Sequence, residues 1–223
     1  MGKEILCLAA PLEAEKNWEM DGVAVLTATV CLPQAEPSAR RFRRFNRYYR
    51  RFCRAYLSYC EQELLPRAKA RCADALERSK PWEPLRASLG YRVSMESETL
   101  LSIVTDARES SPRYLLRRAD TWDRRGALPV PLQEFFPPRC RLRRSLLLHA
   151  RTEAARRVGA GEASYCEEYR ALLRRYLNLR SYYLTPEGLC WFYPMYLLGE
   201  AAEGVVVFTL PYDEENGPFP QGR

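Results

Sequence analysis

Residues Arg180 to Tyr212 read RSYYLTPEGLCWFYPMYLLGEAAEGVVVFTLPY, and they decide the fold class. Ser181 to Leu184 is aromatic and apolar, as suits a half-buried strand. Thr185-Pro186-Glu187-Gly188 has turn chemistry: Pro presets φ, and Gly re-enters the next strand without steric cost. Leu189 to Tyr193 is an unbroken apolar run, which implies burial on both faces. Pro194 cannot donate to a ladder and ends it. Met195 to Ala202 is a loop or a helical turn. After Gly204, the β-branched run Val205 to Leu210 forms a third strand that Pro211 closes. A hairpin followed by a returning strand is the expectation.

Working outward, 223 residues suffice for one domain or two small lobes with a real core. With 47% hydrophobic and 28% charged residues the composition is that of an ordinary water-soluble chain. Helix-friendly stretches mixed with strand-like clusters point to an α+β fold, antiparallel sheets packed against long amphipathic helices. Lys80-Pro81-Trp82-Glu83-Pro84 is the best internal boundary. It divides an N-terminal lobe, 1–80, from a C-terminal lobe, 85–215, expected to form one compact unit.

In the first lobe, Glu4 to Ala9 suggests a short strand and Gly22 to Leu32 a clearer one, closed by Pro33 and Pro37. A long helix follows from an N-cap at Ser38, uninterrupted to Pro66, with a kink expected there. Phe42, Phe45, Tyr49, Phe52, Tyr56, Tyr59 and Leu64 form its apolar stripe. Arg40, Arg43, Arg44, Arg47, Arg50, Arg51 and Arg54 occupy the opposite face and are the candidate surface for an anionic partner. The net charge of +7 agrees with nucleic-acid or anionic-surface binding. The preferred reading is a solvated outer face, because the aromatics follow the stripe and are not interleaved with exposed arginines as a stacking platform requires.

In the second lobe, Ala87 to Met95 and Thr99 to Val104 read as a hairpin and Pro112 to Trp122 as a third strand. Leu132, Phe135 and Phe136 are expected to plug the core. Cys140 to Val158 and Glu162 to Leu177 are expected to be amphipathic helices. His149, the single histidine, reads as a satisfied, partly buried side chain.

No catalytic residue, cofactor site or metal site is expected. The eight cysteines are spread singly without C-x-x-C, so zinc is not indicated and free thiols are. Phosphate loops, nucleophile elbows and zinc-protease helices are missing from the sequence. The apolar run Ile5 to Ala10 is shorter than the roughly 7–15 residues of a secretory h-region, and the chain reads as cytoplasmic.

The order of motifs resembles the domain shared by the RsiV anti-sigma factor ectodomain and the accessory region of PdaC-type peptidoglycan deacetylases. The matching segments are Tyr182 to Tyr212, Leu100 to Ala107, Asp120 to Phe136 and Gly22 to Tyr49, together spanning roughly 22–212. The resemblance implies a bacterial, non-catalytic binding or regulatory module whose partner is an unknown protein or cell-envelope ligand. Family members are often extracytoplasmic. Arg113 to Asp120 has neither Gly nor His, so no role tied to the family's glycine-histidine loop is carried over.

Overall fold

The computed structural model describes residues 5–36, 40–110 and 113–220. The Ser38 cap lies outside them. The α+β class holds, with nine strands and long helices among the described residues. Two compact units are formed, one from residues 1–91 and 105–114, the other from 92–104 and 115–223. The division runs within three long strands, β3 (Leu85–Glu96), β4 (Leu100–Ser110) and β5 (Arg113–Asp123), and leaves Lys80 to Pro84 inside the first unit. With β1 (Leu12–Met20), β2 (Val23–Leu32) and β6 (Leu128–Pro129), these strands hydrogen-bond in sequence order as one six-stranded sheet.

In the first unit β1 is the first strand among the described residues; of the expected strand Glu4 to Ala9, Glu4 lies outside them, and Leu8 makes an isolated bridge to Ala35. The cause is the Asp21-Gly22 turn. Both residues have positive φ, 51° and 79°, as a two-residue primed turn requires, and Met20 pairs with Val23. β2 then runs parallel to β3, so the chain between them must cross over. That crossover is a long helical run: α1 (Phe42–Tyr59), a π-helical turn (Cys60–Leu64) and α2 (Leu65–Glu77). Both α1 and α2 pack on β2.

The expected kink at Pro66 takes the form of the π turn. The Leu65 N–H donates to the Cys60 carbonyl, one residue further back than in an α-helix, just before the proline that has no N–H to give. The wide turn absorbs one extra residue, so burial proceeds through Tyr56, Cys60, Leu64, Ala68 and Cys72 at four-residue steps. Without it each four-residue step would drift by about 40° around the helix. Tyr59, placed in the stripe by the sequence, is instead 37% exposed, and Cys60 is buried in its stead.

In the second unit, β7 (Tyr182–Thr185), β8 (Gly188–Tyr193) and β9 (Val206–Pro211) form an antiparallel sheet with β8 in the centre. Every residue of β8 is buried, as its unbroken apolar run predicts. Leu189, Trp191 and Tyr193 face one core with Phe135, Leu146, Ala150 and Phe208. Cys190 and Phe192 face another with Tyr183 and Ala119. Gly188 admits no other residue, because a Cβ there would lie 2.3 Å from the Leu210 carbonyl oxygen. Leu132, Phe135 and Phe136 are buried as expected.

α3 (Leu142–Gly159) packs on β9. The expected helix over Glu162 to Leu177 is reduced to α4 (Tyr169–Arg175). Tertiary bonds hold the preceding segment in another shape: Tyr165 bridges Gly199, the Cys166 N–H donates to the Leu198 carbonyl at 2.7 Å, and the Ser164 N–H donates to Glu203 at 2.7 Å. None of the eight cysteines is in a disulfide, and four of them are buried.

Candidate anion-binding face

Helical period alone fixes which way the arginines of α1 point. Phe42, Phe45, Asn46, Tyr49, Cys53 and Tyr56 are buried on the sheet side. At about 100° per residue, Arg43, Arg44, Arg47, Arg50, Arg51 and Arg54 fall on an opposite arc about 120° wide. All six are exposed, as is Arg40 just before the helix. Arg43 to Arg54 extends about 16 Å along the axis at 1.5 Å per residue. Arg43, Arg47, Arg50, Arg51 and Arg54 wall a valley of ≈ 530 Å³ with Asn46 at its side.

Asn46 is fully engaged elsewhere. Its Oδ1 accepts from the Ala35 N–H at 2.7 Å and its Nδ2 donates to the Ala35 carbonyl at 2.9 Å. The amide thus ties α1 to the chain leaving β2, a structural role that the sequence reading missed.

No Asp or Glu occurs in Phe42–Tyr59. Lys16–Glu61, Arg67–Glu109, Arg78–Asp74 and Arg108–Asp106 are ion pairs of this unit, and none of them involves these arginines. Among the described residues, none of the seven candidate arginines makes an ion pair. Nor does helix stability explain their placement. The first turn of α1 has no acidic residue and no side-chain cap. Cations there oppose the positive end of the helix dipole, at about 0.3–1 kcal/mol each.

A second polar cluster sits beneath the π turn. Tyr59 donates to Glu109 Oε1 at 2.7 Å, and Arg67 approaches the other carboxylate oxygen at 3.6 Å. Burial, and then the bond to Glu109, pushes the Tyr59 phenol up to about 12. Burial lifts the Cys60 thiol to about 11. Both hold their protons at neutral pH, so neither supplies a nucleophile or base there. His149 is half-buried in α3, its ring edge-on to Trp191 at 5.7 Å. Among the described residues no three His, Cys, Asp or Glu side chains are grouped to hold a metal ion, and no helix is long and apolar enough to cross a membrane.

No family model matches the sequence, and no curated protein does. Solved structures do. A DUF3298-family protein of Bacteroides fragilis superposes with a TM-score of 0.67 over 95% of this chain and 92% of its own, at 14% identity. A DUF3298-family protein of Pseudomonas aeruginosa superposes with a TM-score of 0.58 over 98% of each chain, at 13% identity. The fold is therefore shared with DUF3298 proteins along nearly its whole length.

Proposed function

We propose that this chain is a non-catalytic binding module and that it holds an anionic partner on the arginine face of α1. The observation that carries the reading is six exposed arginines on one helix that has no acidic residue of its own, none of them in an ion pair among the described residues. A purely solvated face would be expected to mix both signs, since i,i+4 pairs of opposite charge add stability and rows of one sign subtract it. Fold likeness to DUF3298 proteins supports a common scaffold. The ordered motifs that resemble RsiV and the PdaC accessory region support a module that recognises rather than transforms. The anion-binding reading is preferred to a solvated face because, among the described residues, none of these arginines is neutralised by an ion pair.

The test separates this face from overall basicity. In one variant Arg43, Arg47, Arg50 and Arg54 become Glu. In a second, Arg125, Arg144, Arg151 and Arg180 do, all exposed and all in the other unit. Each change removes two charges, so both variants carry a formal net charge of −1 where the parent carries +7. On a heparin column the first variant should lose retention at physiological salt, and the second should keep most of it. Equal losses would reduce the face to bulk charge and defeat the proposal.

A further inference from the structure

Building on the reading of α1 as an anion-binding face, we infer that the partner is the phosphate backbone of duplex nucleic acid, bound without regard to sequence. Four features of the face select this occupant. A protein interface is organised on a desolvated apolar or aromatic centre with charges at its rim. The face of α1 has no such centre. Among the described residues of this unit the exposed large apolar side chains are Tyr59 and Leu76, both beyond the arginine row. A bilayer-bound amphipathic helix sinks its apolar side into the headgroup region. The apolar side of α1 is turned to the sheet, with Phe42, Phe45 and Tyr49 no more than 1% exposed. A plane of headgroups would also meet only the rims of the valley between the arginines, whereas a linear row of phosphates can lie along it.

The remaining features concern what the face cannot read. Reading adenine edges takes an amide, and stacking on base faces takes an aromatic. The amide of Asn46 is bonded at both ends to Ala35, and no aromatic lies in the arginine arc. Amide readout and stacking are thus absent from the face, and the phosphates are what its arginines are proposed to meet. Without stacking, a single strand offers only its sparser charge, while a duplex carries one negative charge per roughly 1.7 Å of axis. About 16 Å of arginine row faces several duplex phosphates at once.

The signature is ionic. With six arginines engaged, the logarithm of affinity should fall against the logarithm of salt with a slope of about −5 on duplex and about −4 on a single strand. Between 50 and 200 mM salt the duplex affinity should drop about a thousandfold.

The experiment is fluorescence anisotropy with the full chain. Its probes are two 20-base-pair duplexes of unrelated sequence and one of the four strands alone, with phosphatidylserine vesicles in parallel by co-sedimentation. The duplexes should bind equally, more tightly than the strand, and the vesicles least. The Arg43, Arg47, Arg50 and Arg54 to Glu variant should lose duplex binding while keeping its circular dichroism and melting no lower than the parent. The same four positions changed to Lys should stay within a few-fold of the parent, because backbone contacts need charge more than geometry. A tenfold preference between duplexes, tighter binding of the strand, or binding to vesicles alone overturns the inference. Heparin retention that depends on the face, with no duplex binding, overturns the inference and leaves the anion-binding face standing. No face-dependent retention at all removes both.

Discussion

α1 and α3 are both 18 residues long and both rich in arginine, yet they use it in opposite ways. In α3, Arg156 and Arg157 sit in the last turn, where positive charge complements the helix dipole. Both bond Glu153, at 2.8 and 2.9 Å, and Arg156 also bonds Glu162 at 2.8 Å. Arg157 further donates to the Val207 carbonyl at 2.9 Å and lies 5.0 Å from the Phe208 ring centre. These guanidiniums hold their own unit together. In α1 the arginines cluster toward the opposite end of the helix, which has no acidic residue of its own, and none of them is in an ion pair among the described residues. The same side chain is structural in one place and available in the other, and only the neighbours decide which.

The largest effect should come from breaking α3. Arg157→Ala removes a charged ion pair, a bond to a strand carbonyl and a ring contact together. It should destabilise the chain by about 2–3 kcal/mol, since hydrogen bonds to charged groups each contribute roughly 1.5–3 and a cation over a ring contributes less than about 1 at a partly exposed site. Arg50→Ala in α1 should change stability by less than about 0.5 kcal/mol. Urea unfolding of the two variants measures both. Similar losses would mean that α1's arginines also serve the fold, and the contrast would fail.

The two helices also differ in what the sequence disclosed. The arginine face of α1 was legible because helix period and the lack of Asp or Glu are both properties of a contiguous stretch. The use of Arg157 was not legible, because its carbonyl partner lies fifty residues away on another element. The same division runs through the fold. β8 was readable from an unbroken apolar run, whereas the π turn, which exchanges Tyr59 for Cys60 in the core, has no local signature beyond the following Pro66. The first hairpin was readable and was missed. Asp21-Gly22 is a strong short-range turn signal, but the charged alternation of Leu12–Met20 hid an edge strand. The segment before α4 was overridden from a distance by Leu198, Gly199 and Glu203.

A smaller effect separates the helices in acid. Hydrogen bonding from Arg156, together with Arg157, holds the Glu153 carboxyl down at about 2, against an ordinary value of 4.5. A carboxylate whose pKa is lowered on folding contributes its stability above the ordinary value. That contribution disappears as pH falls through the folded value. The stability difference between the parent and Glu153→Gln should therefore be constant above about pH 5 and shrink between about 4.5 and 2. An Arg50→Ala variant should track the parent in parallel over the same range, since α1 has no carboxylate to titrate. Urea midpoints taken at half-unit pH steps would show whether the two variants differ in this way.

The smallest effect carries the sharpest sign. Arg43 and Arg44 stand in the first turn of α1, close to unsatisfied backbone N–H groups and the positive end of the dipole. Replacing either with Glu should raise stability by about 0.3–1 kcal/mol, because an acidic side chain there meets favourable charge. The same substitution should weaken polyanion binding, because it inverts one contact in a row of six. Gain in stability with loss of binding is the pattern of a residue kept for its partner and not for the fold. Thermal melts and heparin elution on the two single variants read both quantities at once. A variant that loses stability and binding together would place these arginines among the structural ones, beside Arg156 and Arg157, and would erase the distinction between the two helices.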